Sequence, residues 1–182
     1  PRPSYAHTVP LTHRSSSPLA LTVTLPRRTL ARPASYRGIT LFTGATTTIT
    51  IRPAIVRGPS FTSGIEFHRI DLPGSTMIRA HVSRVAPEMR RTVLSADPTD
   101  PRATSVQTVE HLLSALAGLG ITDAVIEIDG PEVPIGDGSA LPFVEAITRA
   151  GIADIPPSLA ASPGDSSTSP GPTPAVVREP II

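Results

Sequence analysis

The sequence predicts an α+β fold, a single two-layer sandwich in which a mainly antiparallel or mixed sheet carries two helices on one face. Three observations predict it. β-Branched or period-two stretches recur at 46–51, 64–69 and 124–128, two stretches of helical period close on Gly120 and Gly151, and their order is strands, helix, strand, helix. The 182 residues, 39% of them hydrophobic, suffice for one domain of ordinary size.

Residues 1–26 mix Pro, Ser, Thr and His without a sustained period and are expected to form a disordered leader. Residues 27–155 form the expected domain. Within it, 46–51 is β-branched throughout and closed by Pro53, and Gly64-Ile65-Glu66-Phe67-His68-Arg69 alternates with period two, so the two are expected to be antiparallel neighbours. Arg91-Thr92-Val93-Leu94 is a short strand candidate, and Ala124-Val125-Ile126-Glu127-Ile128 is a stronger one that ends at the turn pair Asp129-Gly130. The first helix spans about 109–119, with Thr108 as its expected N-cap and Gly120 as its stop. The second follows Ser139, admits Pro142 in its first turn and ends at Gly151. Residues 156–174 form a Pro/Ser/Gly-rich linker with too few apolar groups to offset the cost of ordering them, and 175–182 read as the start of a truncated second domain.

Composition excludes several classes of function. The apolar runs 112–121 and 124–128 are broken by Ser114, Gly118, Gly120 and Asp123, so neither reaches the roughly 20 residues of a membrane span. With no cysteine, a disulfide framework and a thiolate metal site are excluded, which leaves His and carboxylates as zinc ligands. All 16 basic residues are Arg, offset by 15 acids and scattered without interleaved aromatics, so no nucleic-acid partner is expected.

The sharpest chemical feature lies on the first helix. At about 100° per residue, Val109, Leu112, Leu113, Leu116 and Leu119 form one stripe, while Glu110, His111, Ser114 and Gly118 fall on the other side. Small residues there, Ser114, Ala115 and Gly118, leave room above Glu110 and His111, which are expected to be exposed. A neutral imidazole beside a carboxylate suits zinc hydrolysis, the His binding metal and the Glu taking a proton from bound water. The plain alternative is an acid that favours the helix dipole beside a surface His, and no second His four residues away completes a zincin motif. Asp137 likewise has two readings: with Ser139 it caps the second helix, or its loop frames a cleft.

Two stretches in order, Thr108–Gly120 with Ile121-Thr122-Asp123-Ala124 and then 131–143, resemble signature motifs of the UDP-3-O-acyl-N-acetylglucosamine deacetylases. Arg28-Thr29-Leu30, Gly38-Ile39-Thr40-Leu41-Phe42-Thr43-Gly44 and 64–72 extend the resemblance over 27–155. It implies a fold of two similar domains with the active site between them, and a cytoplasmic, zinc-dependent enzyme of lipid A biosynthesis that removes the N-acetyl group from a UDP-linked, 3-O-acylated glucosamine. Carried over by position, it implies that Glu110 is the catalytic base, that His111 is one of three ligands to Zn2+, and that Leu41 and Met89 present apolar surface to the substrate. The remaining ligands are expected in the missing C-terminal domain, so the chain alone is expected to be inactive. Phe42 stands where the family turn carries His, and Arg90 and Arg91 stand beside the pocket where relatives have smaller or apolar residues. Those departures keep a second reading open, a non-catalytic binding module or degenerate paralogue of the same fold.

Overall fold

The computed structural model describes residues 26–54 and 64–156. Apart from Pro26 and Pro156, the expected leader, linker and second-domain opening lie outside the described residues.

The central element is β9 (Ala124–Ile128), which buries four of its five residues. A strand so largely buried is best placed where both edges are paired, and β9 occupies that position in a five-stranded sheet of order β2-β3-β9-β4-β5. It pairs antiparallel with β3 (Thr46–Pro53) and parallel with β4 (Ile65–Arg69). The expectation that β3 and β4 are direct neighbours is therefore corrected: the more apolar strand, 55 or more residues later in the chain, separates them. β2 (Ala34–Ile39) and β5 (Ile78–Arg79) form the edges.

The register places Ile49 opposite Ile128, Ile51 opposite Ile126, and Phe67 beside Ile126, so all five side chains share one face. α1 (Glu110–Gly118) and α2 (Leu141–Ala150) cover that face, with Leu112, Leu116, Phe143 and Ile147 in the same buried cluster. The Phe143 ring meets Tyr36 edge-on, with centroids 5.2 Å apart. The other face is polar, carrying the Ser35–Thr50 hydroxyl pair at 3.1 Å and the Arg52–Glu127 ion pair at 2.6 Å. The α+β class, with two helices on one sheet face, is as the sequence predicts.

Two small sheets flank this core. β1 (Arg28–Leu30) pairs with β10 (Ile152–Asp154), and β6 (Val85–Ala86), β7 (Val93–Ser95) and β8 (Ser105–Gln107) make a three-stranded sheet. The strand expected at 91–94 starts two residues later, at Val93.

α1 closes as expected, with Gly120 at φ 69° and the Ile121 amide donating to the Leu116 carbonyl at 2.9 Å. Its start differs: no side chain caps it, and Thr108 adopts φ 59° with its hydroxyl turned elsewhere. Leu112, Ala115 and Leu116 are buried and Leu113 only partly so, which moves Ala115 from the open face to the core. Ser114 and Gly118 remain exposed, and a Cβ at Gly118 would meet nothing within 4 Å. At α2, Ser139 Oγ accepts the Leu141 amide at 3.0 Å, while Asp137 Oδ1 accepts the Ser139 amide and hydroxyl at 2.9 and 2.7 Å. Of the two capping candidates, Ser139 thus accepts a first-turn amide from just before the N-cap residue Ala140, while Asp137 bonds to no helix amide and only braces Ser139.

Candidate functional site

Three segments far apart in sequence converge at the start of α1. β8 delivers the chain to Thr108, whose amide donates to the Thr92 carbonyl at 2.9 Å and so ties the helix start to residues 91–92. Gln107 meanwhile pairs with the 131–133 segment, accepting from the Val133 amide at 3.1 Å and donating to the Pro131 carbonyl at 2.9 Å. This brings Glu132 beneath the turn 40–44, which follows β2.

Glu132 is fully buried. Its Oε1 accepts the Phe42 amide at 2.9 Å and the Thr108 hydroxyl at 3.1 Å, and its Oε2 accepts the Thr43 amide at 3.0 Å. Its own carbonyl accepts the Thr47 hydroxyl at 2.8 Å. Burial pushes the Glu132 carboxyl up, but the Phe42 and Thr43 amides and the Thr108 hydroxyl outweigh it and hold the group below its ordinary range. A buried charge satisfied by donors from two segments is a structural clamp that sequence reasoning missed. The acid is visible between Pro131 and Pro134, but its partners Phe42 and Thr43 lie 90 and 89 residues away.

Glu110 and His111 occupy the first turn of α1 and are half-buried, neither in the core nor fully exposed as expected. Glu110 Oε2 is buried without a hydrogen-bond partner, one of two such side-chain atoms among the described residues. The other is Arg91 Nε. Arg91 places its guanidinium 5.0 Å from the centre of the Phe42 ring, a cation–π contact that joins residues 88–92 to the turn bearing Leu41, and it also meets Glu88 at 3.3 Å. Two of the three departures noted in the sequence, Phe42 and Arg91, are thus in contact with each other. Leu41 is 58% exposed on that turn, and Met89 is 82% exposed two residues before Arg91. Both offer apolar surface to solvent, Leu41 on the clamped turn and Met89 at the outer end of the segment that Arg91 anchors.

Asp137 lies in the turn that leads into α2. Its carboxyl is held below the ordinary range chiefly by the Ser139 hydroxyl and amide, with His111 the smallest contributor. Among the described residues no group of three His, Cys, Asp or Glu side chains could hold a metal ion. His111 belongs to no such group, and the residue before it carries the unpartnered carboxylate oxygen.

Fold and site together define an α+β domain that presents a glutamate–histidine pair at a helix start, which Glu132 ties to the turn bearing Leu41. Residues 27–160 match the family model for UDP-3-O-acyl N-acetylglycosamine deacetylase, and the chain belongs to that family. The chain is 47% identical over 126 residues to a UDP-3-O-acyl-N-acetylglucosamine deacetylase of Citrifermentans bemidjiense, covering 69% of this chain and 38% of the relative. A relative of the same name from Thermosynechococcus vestitus is 41% identical over 138 residues, 76% of this chain and 45% of its own length. One from Myxococcus xanthus is 44% identical over 126 residues, covering 69% and 37%. The chain thus spans less than half the length of these relatives. No helix among the described residues is long and apolar enough to cross a membrane.

Proposed function

We propose that this chain supplies one part of the active site of a zinc-dependent hydrolase that removes the N-acetyl group from UDP-3-O-acyl-N-acetylglucosamine in lipid A biosynthesis, in the cytoplasm. The observation that carries the reading is the pairing of His111 with an adjacent carboxylate whose Oε2 is buried and unpartnered, in a chain of this family. A desolvated oxygen without a donor costs on the order of 1–3 kcal/mol, a cost that a water or substrate proton at that position would recover. His111 would hold the metal as one ligand, and the others would come from the portion of the relatives' length that this chain does not span. Bound zinc would polarise the amide carbonyl and acidify water. Glu110 then accepts the water's proton, while Leu41 and Met89 offer apolar contact to the acyl chain.

The test compares the chain alone with the chain joined to the remainder of the family's length. Alone it is expected to bind zinc weakly and release no acetate from the UDP-sugar; joined, it gains both functions. In the joined protein, His111→Ala loses zinc affinity and activity together. Glu110→Gln keeps zinc near stoichiometric and lowers kcat by about 10²–10⁴-fold, the usual worth of a positioned general base. Near-normal turnover in Glu110→Gln would remove the base assignment. Phe42, in place of the family His, favours a second reading, a module that binds the sugar nucleotide without cleaving it; binding without acetate release in the joined wild-type protein would establish that reading.

A further inference from the structure

We infer that Glu132 is a positioning residue that holds the apolar turn 40–44 in fixed relation to the Glu110–His111 pair, and so sets how the acyl chain of the substrate is received. The inference rests on the proposed roles of Glu110, His111 and Leu41.

Glu132 holds three groups at once. Its carboxylate bonds to two amides of the turn and to Thr108, the second residue before Glu110. Thr108 sits at φ 59°, in the left-handed region, which is costly for a β-branched residue and persists only where the surroundings enforce it. The Thr92 carbonyl and the Glu132 carboxylate supply that enforcement from two sides. The same group that holds a strained backbone at the helix start thereby also fixes Phe42, the ring under Arg91, and the adjacent Leu41. Two carboxylate oxygens are required, because Oε1 serves Phe42 and Thr108 while Oε2 serves Thr43. A glutamine has the shape but only one acceptor oxygen; its NH2 would face a turn amide that is itself a donor. The turn would be released at one point without a cavity being opened.

Glu132→Gln is compared with Thr29→Val, which also strips the acceptor from a buried amide, that of Ala54, but far from the site. In the protein joined to the remainder of the family's length, Glu132→Gln is expected to raise KM for the long-acyl UDP-sugar by about 10-fold or more, because small misplacements of substrate-positioning groups are amplified. Zinc content stays unchanged, and the rise is several-fold smaller for a substrate with a short acyl group. Thr29→Val leaves both KM values at the wild-type level. Equal KM changes for the two substrates, or a KM rise of the same size in Thr29→Val, would overturn the inference. If the wild-type joined protein releases no acetate, the proposed function fails, and the clamp is then decided by amide hydrogen exchange in the chain itself. Faster exchange confined to Phe42, Thr43 and the start of α1 in Glu132→Gln supports it; a uniform increase across the core, or none, refutes it.

Discussion

Gly130, two residues beyond the end of β9, shows how closely the residues around the clamp approach one another. A Cβ there would come within 2.5 Å of Thr47 Cγ2, whose hydroxyl donates to the Glu132 carbonyl. Gly130→Ala is therefore expected to destabilise the fold by about 1–3 kcal/mol, the range for forcing an extra methyl into a filled space. Urea denaturation measures it, and an unchanged midpoint would show that Thr47 yields freely. The Asp129-Gly130 pair is legible as a turn, but the reason only glycine fits is the proximity of Thr47, 83 residues earlier. Glu110 and His111 divide in the same way. Their place on a helix face follows from period, whereas their half-burial and the unpartnered Oε2 follow from what packs around the first turn.

At the scale of elements, α1 is held by packing rather than by its ends. It has no side-chain cap, and its nine residues are too few to be stable alone, so the burial of Leu112, Ala115 and Leu116 sustains it. Leu116→Ala is expected to cost about 2–5 kcal/mol in unfolding free energy, as measured by denaturant titration. α2 differs, because Ser139 accepts the Leu141 amide and Asp137 braces Ser139. Ser139→Ala should lower stability by about 1 kcal/mol, and a circular-dichroism melt that shows no decrease would argue against the cap. Both helices were legible from apolar spacing and their closing glycines. The absence of a Thr108 cap was not, since Thr108 is drawn away by Glu132, a partner 24 residues further on.

Across the whole molecule, buried carboxylates link strands that are distant in sequence. Asp123 joins Arg27 to the Gly64 amide, which it accepts at 2.7 Å, and so ties the start of β1 to β4 and β9. Burial pushes the Asp123 carboxyl up, but Arg27, Thr122 and Gly64 more than compensate and leave it below its ordinary range, as the donors do for Glu132. Both groups are charged more readily when folded than when unfolded. Their contribution is accordingly present above the ordinary carboxylate pKa of about 4 and is lost as pH falls through the lower folded-state values. Asp123→Asn and Glu132→Gln should each reduce stability by about 2 kcal/mol at pH 7, with the difference from wild type shrinking toward pH 2. Urea titrations across that range check the sign: a deficit that grows with acidity would contradict it.

The sequence by itself determined the α+β class, the two helices and their closing turns, the strong strands, and the Glu110–His111 pair, because each depends on period, propensity or turn chemistry within about a dozen residues. The tertiary structure alone decided that β9 stands between β3 and β4, that Thr108 takes a left-handed conformation, that Arg91 lies over Phe42, and that Glu132 joins the turn to the helix. Strand order is set by which apolar edges and faces must be covered at once, and a buried charge by which donors the fold brings to it. Both are properties of residues that meet only after the chain has closed on itself.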